Sequence, residues 1–299
     1  MQRQRSRKRK DRVVTKIERL GVIGGGQMGG GIAEVSARAG IDVIVCEVNN
    51  DAARAGRARL WKSLDRAVQN GKLTEADRDE TQSRLHFTTT LADFDDRDMV
   101  IEAIAEDEEL KVKLFAELDK VLAAPDAILA SNTSSIPIAK LASATERPNQ
   151  VLGVHFFNPV PVLKLVELVP SLLTSAETVE RASAFATEQL GKETIRAQDR
   201  SGFIVNALLV PYLLSAIRML EGGFASAEDI DKGMVLGCAH PMGPLRLSDL
   251  VGLDTLKAIA DSMYAEYAEP TYAAPPLLQR MLDAGLKGKK SGKGFYDYD

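Results

Sequence analysis

Residues 20–47 read LGVIGGGQMGGGIAEVSARAGIDVIVCE. Leu20-Gly21-Val22-Ile23 is a short apolar run of strand length. It leads into Gly24-Gly25-Gly26-Gln27-Met28-Gly29, a G-x-G-x-x-G. Met28, Ile32, Val35 and Ala39 then recur at helical spacing until Gly40, a helix stop. Asp42-Val43-Ile44-Val45-Cys46 is a second strand, ended by Glu47. Strand, glycine loop, helix and a second strand closed by an acid form the context in which this motif signifies dinucleotide binding. The glycines let the backbone approach a pyrophosphate, which rests on the helix N-terminus. Glu47 is placed to accept from both hydroxyls of an adenosine ribose and to repel a 2′-phosphate, which selects NAD over NADP. The candidate cofactor residues are thus Gly24, Gly26, Gln27, Met28, Gly29 and Glu47. FAD sites share this fingerprint, and a glycine-rich turn without ligand is the plain structural alternative.

Further strands are predicted at Leu85–Thr88, Met99–Ala103, Ile128–Ala130 and Glu193–Ala197, alternating with helical patterns. That alternation reads as an α/β fold, a doubly wound Rossmann-type sheet. A helical pair, 51–69 and one opening at Thr74, projects between the second and third strands. Its Arg57, Arg59, Lys62, Arg66 and Lys72 are a solvated face or meet an anionic ligand. Gln198-Asp199-Arg200-Ser201-Gly202 is the predicted boundary, and everything after it is helical. Helices are predicted over 203–220 with a kink at Pro211, and near 227–236, 244–252, 254–267 and 275–284. The expected division is 14–199 for the dinucleotide domain and 200–299 for an all-α second domain. Such a domain suits a subunit interface, so a homodimer is expected.

Gly153-Val154-His155-Phe156-Phe157-Asn158-Pro159-Val160-Pro161 holds the candidate chemistry. Apolar runs end at His155 and surround Glu167, with turn formers between them. A hairpin centred near Pro161 sets His155 opposite Glu167, close enough for carboxylate to meet imidazole. A carboxylate on one ring nitrogen fixes the tautomer and leaves the other nitrogen to take a proton. The alternative is a structural histidine and a solvated glutamate. Asn206 lies in an apolar run and is expected to be a buried amide in need of a partner. The hydroxyls of Ser131-Asn132-Thr133-Ser134-Ser135 follow a strand end, where α/β sheets bind ligands and where ordinary helix caps also occur.

The 299 residues, with a formal net charge of -4, fit an ordinary globular protein of about two domains. That balance argues against nucleic acid as the main partner. Residues 1–12 carry seven Lys/Arg and one acid and are expected to form a disordered basic tail to residue 13; an RNA-binding or targeting arm is the alternative. The tail has no apolar core segment and so is no secretory signal. No stretch is long and apolar enough to span a membrane. Cys46 and Cys238 have no ligand or C-x-x-C spacing, so neither a metal nor a disulfide is expected and a reducing cytoplasmic compartment fits.

Several spaced motifs together resemble the monofunctional L-3-hydroxyacyl-CoA dehydrogenases, the short-chain 3-hydroxybutyryl-CoA type in particular. They are GVIGGGQMGGGIA, VIEAIAEDEELKVKLFAELD, SNTSSIPI, VHFFNPVPVLKLVELV, SGFIVNALLVPYL, HPMGPLRLSDLVGLDT and GKKSGKGFYDYD. The resemblance implies an NAD-binding domain, a helical dimerisation domain and reversible oxidation of (S)-3-hydroxyacyl-CoA. It makes His155 the general base and Glu167 its partner. Ser134 and Asn206 hold the 3-oxygen. Glu106, Lys111 and Asn132 line the nicotinamide half of NAD. Ser63 and Lys72 are loose matches for CoA contacts. The chain departs from the pattern at Glu47, commonly Asp, at Ala207, commonly Arg, and at His240 and Arg246. Two alternatives stand beside this reading: a sugar-acid dehydrogenase of the L-gulonate kind, and a non-catalytic NAD-binding homologue.

Overall fold

The computed structural model describes residues 15–298, and the basic tail lies outside the described residues. The chain divides into two compact units. The first holds the chain up to Asn132 together with Leu141–Ile195; the second holds Thr133–Lys140 with the chain from Arg196 on.

The first unit is built from β1 (Arg19–Ile23), α1 (Gln27–Arg38), β2 (Asp42–Cys46), α2 (Asn50–Gln69), α3 (Glu75–Ser83), β3 (Leu85–Thr88), β4 (Met99–Glu102), α4 (Glu108–Val121) and β5 (Ile128–Ser131). Helix α5 (Ile138–Ser143) is followed by β6 (Val151–Phe156), β7 (Leu165–Pro170), α6 (Ala176–Ala184) and β8 (Glu193–Arg196). The strands form one sheet in the order β3-β2-β1-β4-β5-β6-β7-β8. Pairing from β3 through to β6 is parallel, and β7 returns antiparallel to β6. Strands covered on both faces need continuous apolar runs rather than alternation, and every residue of β4, β5 and β6 is buried. Strand order reverses between β1 and β4, which opens a crevice at their carboxyl ends.

Two elements depart from the sequence reading. α6 stops at Ala184 and the chain widens into a π-helical turn, Phe185–Gln189. The wider turn carries Gln189, whose amide donates to Ile17 O at 2.8 Å and accepts from Ile17 N at 3.1 Å. The second unit is also discontinuous in sequence. Asp199 takes Thr133–Lys140 into it by accepting from Ile138 N at 2.6 Å and Ala139 N at 2.8 Å.

The second unit contains α7 (Val205–Glu221), α8 (Ala227–Cys238), α9 (Pro244–Val251), α10 (Leu253–Tyr267) and α11 (Pro276–Asp283). α7 begins at Val205, not Phe203, because Gly202 and Phe203 both have positive φ, +83° and +50°, which no right-handed helix accommodates. Pro211 lies inside α7. The core is formed by Leu213, Leu214, Ile217, Leu245, Leu256 and Met263 with their neighbours. Two carboxylates stitch the unit together. Asp231 accepts from Leu245 N and Arg246 N at the start of α9, at 2.8 and 3.0 Å, and from Tyr296 Oη at 2.9 Å. Asp249, fully buried, accepts from Phe295 N, Tyr296 N and Tyr298 Oη, each at 3.0 Å. Replacing Asp249 by alanine strips three donors of their acceptor. The expected cost is roughly 2–4 kcal/mol, since each buried unsatisfied donor costs about 1–3 kcal/mol and part of the loss is relieved by water. A lower melting temperature checks this; an unchanged one would show that the C-terminal segment is not held through this carboxylate.

Candidate active site

The glycine loop joins β1 to α1. Gly24 has φ +90° and a Cβ there would lie 2.8 Å from Ala103 O, so only glycine fits. Gly24 N donates to Cys46 O at 2.9 Å. A Cβ on Gly29 would fall 1.8 Å from Gly24 O, which shows how tightly α1 presses on the loop. Gly26 differs: a Cβ there meets nothing within 4 Å. Its bareness is not demanded by the packing of the described residues, and it leaves the first turn of α1 open to an anionic group. Glu47, closing β2, accepts from Gly25 N at 2.7 Å, so the acid stands beside the loop as a ribose ligand must. These residues fit NAD.

A groove of about 610 Å³ runs beside the loop. Its walls include Gly26, Gln27, Glu34, Arg59, Ser63 and Asn158, with Lys62 and Arg66 also along α2. Arg59 is anchored by donation to Gly25 O at 3.1 Å, and Ser63 donates to the buried Glu34 at 2.6 Å. Lys72 is exposed in the turn after α2 and does not line the groove.

His155 and Glu167 are directly paired across β6 and β7. His155 Nδ1 lies 2.8 Å from Glu167 Oε2, with both residues buried. The ionised carboxylate only accepts, so Nδ1 carries the hydrogen and Nε2 is the basic nitrogen. The Phe157 ring packs edge-on against the imidazole, 4.6 Å between centroids. The connection between the two strands is pinned. Lys192 Nζ donates to Val160 O at 2.6 Å and Leu163 O at 2.7 Å, and burial pushes this ammonium below its ordinary range. Asn158 accepts from Gln27 Nε2 at 3.0 Å, which ties the connection to the glycine loop. Just past the end of β5, Asn132 Oδ1 accepts at 2.8 Å from Phe156 N, the residue after His155. Lys111, buried on α4, donates to Glu106 at 2.7 Å.

Ser134 and Asn206 both belong to the second unit. Ser134 O accepts from Gly202 N at 3.2 Å, and Gly202 O accepts from Ala207 N at 3.0 Å, so one glycine joins the two segments. Asn206 is half-buried rather than buried, because the first turns of α7 are open and Leu208 is exposed. The departures at His240 and Arg246 are accommodated locally: His240 Nδ1 lies 3.1 Å from Tyr212 Oη, and Arg246 stacks 4.0 Å over Tyr296.

Two features escaped the sequence reading. Asn158 faces the groove, and its place after His155 in a turn was the available signal. Glu102 ends a wholly apolar strand, and an acid in such a run is itself a signal.

A Rossmann-type sheet with its glycine loop and a buried His–carboxylate pair defines a nicotinamide-dependent dehydrogenase architecture. Residues 19–200 match the family described as 3-hydroxyacyl-CoA dehydrogenase, NAD binding domain, and residues 202–298 match 3-hydroxyacyl-CoA dehydrogenase, C-terminal domain. The chain belongs to the 3-hydroxyacyl-CoA dehydrogenase family. It is 63% identical over 282 residues to a 3-hydroxybutyryl-CoA dehydrogenase of Mycobacterium tuberculosis, covering 94% of this chain and 99% of that protein. It is 43% identical to the human mitochondrial hydroxyacyl-coenzyme A dehydrogenase, covering 94% and 91%. The crystal structure of M. tuberculosis FadB2 superposes with a TM-score of 0.94 at 62% identity, covering 95% of this chain and 100% of that one. That of (S)-3-hydroxybutyryl-CoA dehydrogenase from Ralstonia eutropha gives 0.89 at 43%, covering 95% and 100%.

Proposed function

We infer that the protein catalyses reversible, NAD-dependent oxidation of short-chain (S)-3-hydroxyacyl-CoA to 3-oxoacyl-CoA, with His155 as general base. The observation that carries this reading is the 2.8 Å contact between His155 Nδ1 and Glu167 in a chain of this family. NAD⁺, which Gly24, Gly26, Gly29 and Glu47 would hold, would supply the acceptor for the hydride leaving C3 of the substrate. His155 takes the 3-hydroxyl proton on Nε2, and Glu167 stabilises the imidazolium that forms. In the reverse direction the protonated Nε2 polarises the ketone. Ser134 and Asn206 are proposed to donate to the 3-oxygen as alkoxide charge develops. Glu106, Lys111 and Asn132 are proposed for the nicotinamide half of NAD, and Ser63 for CoA. The exposure of Lys72 makes Arg59, Lys62 and Arg66 the better-placed cations for an anionic ligand.

The second unit is proposed as the homodimer interface. Leu208, Phe224 and Leu236 are among its largest exposed apolar side chains, at 73%, 81% and 73%. No described helix is long and apolar enough to cross a membrane. A reducing, cytoplasmic compartment is proposed from the sparse cysteine usage of the sequence.

The test is a paired assay following NADH absorbance, with acetoacetyl-CoA in one arm and L-gulonate with NAD⁺ in the other. NADH oxidation with acetoacetyl-CoA is expected. Turnover of L-gulonate alone would move the assignment to the sugar-acid class.

A further inference from the structure

Strand β4 ends in a carboxylate that the mechanism above does not use. Glu102 is fully buried. Its Oε1 accepts from Ile104 N at 2.7 Å and lies 3.1 Å from Lys111 Nζ. Its Oε2 accepts from Ser131 Oγ at 2.6 Å. One side chain thus joins the turn after β4, the helix α4 and the neighbouring strand β5. Register sets Glu102 beside Ile23, the residue before the glycine loop, and beside Ser131 on the other flank. This is the point where strand order reverses and where such sheets bind their ligand.

The chain of contacts runs outward from there. Lys111, 1% exposed, bridges Glu102 and Glu106, and the Glu106 side chain is 34% exposed. Glu106 is therefore the solvent-facing end of a Glu102–Lys111–Glu106 series whose inner members are enclosed. In the other direction, Glu102 O accepts from Asn132 N at 2.8 Å, and Asn132 holds Phe156 N beside His155.

Stability alone gives no reason for this arrangement. Burial pushes the Glu102 carboxyl above its usual range, against the pull of Lys111 and the Ser131 and Ile104 hydrogen bonds. An apolar pair of the same size is often as stable as a buried ion pair, or more so. What the charged pair provides is a fixed geometry for three elements at once.

We propose that Glu102 is a positioning residue for the nicotinamide half of NAD, holding Lys111 and the turn after β4 so that Glu106 and Asn132 stand in fixed register with His155. This rests on the assignment of NAD as cofactor. It requires no contact between Glu102 and the dinucleotide.

Glu102→Gln preserves shape but leaves at least one of the donors now shared by the two oxygens unmatched. The expected result is NADH binding weakened about tenfold or more, read by fluorescence, the usual scale for losing a hydrogen bond to a charged group. The KM for acetoacetyl-CoA is expected to stay within about threefold, because only the cofactor half is disturbed. NADH affinity within about twofold of the parent would overturn the proposal. So would an equal loss for both substrates with a fallen melting temperature, the mark of general loosening. If that variant does not fold, Glu102→Asp keeps the charge but, one methylene shorter, draws the carboxylate back from Ile104 N and Lys111 Nζ while leaving Lys111 itself in place. It is expected to bind NADH about tenfold more weakly; parental affinity would overturn the proposal. NADH binding is read without acyl substrate. A parent that binds NADH but leaves acetoacetyl-CoA untouched would sink the substrate assignment alone, and a parent that fails to bind NADH would sink the cofactor reading beneath this one.

Discussion

Replacing His155 by alanine is expected to lower the rate of acetoacetyl-CoA reduction by at least about 10²-fold, the common scale for removing a general acid–base group. NADH binding is expected to be nearly unchanged. The two halves of that expectation come from different parts of the sheet. The imidazole stands on β6, and the glycine loop leaves β1, with β4 and β5 between them in strand order. Truncation at β6 therefore spares Gly24, Gly26 and Glu47. What it removes is the imidazole proposed to move the proton through Nε2, whose Nδ1 lies 2.8 Å from Glu167 Oε2. It also leaves the Glu167 carboxylate, 0% exposed, without its imidazole. Some loss of melting temperature is thus expected and must be measured beside the rate. A variant that turns over acetoacetyl-CoA at near-parental speed would remove His155 from the chemistry altogether.

That pair was legible in the sequence because a hairpin obeys a simple rule. In an antiparallel pair the numbers of facing residues have a constant sum, so a centre near Pro161 fixes 155 against 167 even though residues 157–164 form a longer connection than a tight turn. The glycine loop was legible for a similar reason, since strand, loop, helix and acid are consecutive in the chain. Features built from distant segments were not legible. The recruitment of Thr133–Lys140 into the second unit depends on Asp199, some sixty residues away in the chain and not flagged by any local pattern. The buried reading of Asn206 failed because apolar neighbours in sequence do not enclose a side chain when helix faces point apart. Leu208, two residues on, is 73% exposed. Lys72 was singled out for CoA only as a loose family match, whereas Arg59, Lys62 and Arg66, already among the basic residues read on this helical pair, line the groove because helical periodicity places them along α2. The convergence on Glu102 involves three elements at once, and an acid at a strand end reveals its burial but not its partners.

The second and third glycines of the motif, Gly26 and Gly29, make a sharper experiment together than either does alone. Gly29→Ala would place a methyl group 1.8 Å from Gly24 O. A backbone oxygen cannot swing aside as a side chain does, so α1 must back away from β1. Overpacking of this kind costs roughly 3 kcal/mol or more, and if the loop carries that strain, NADH affinity falls by about two powers of ten. The melting temperature is expected to fall with it. Gly26→Ala meets no protein atom within 4 Å, and Gly26 has φ -65° and ψ -161°, an extended backbone without the positive φ that would demand glycine. The fold and its melting temperature are therefore expected to be unaffected. Its methyl group instead occupies the space through which a pyrophosphate approaches the first turn of α1, so NADH affinity is expected to fall here as well. The first substitution acts through the protein, the second only through the ligand. If Gly26→Ala binds NADH as the parent does, the dinucleotide does not rest on this loop. The nicotinamide would then have to reach His155 from some other direction.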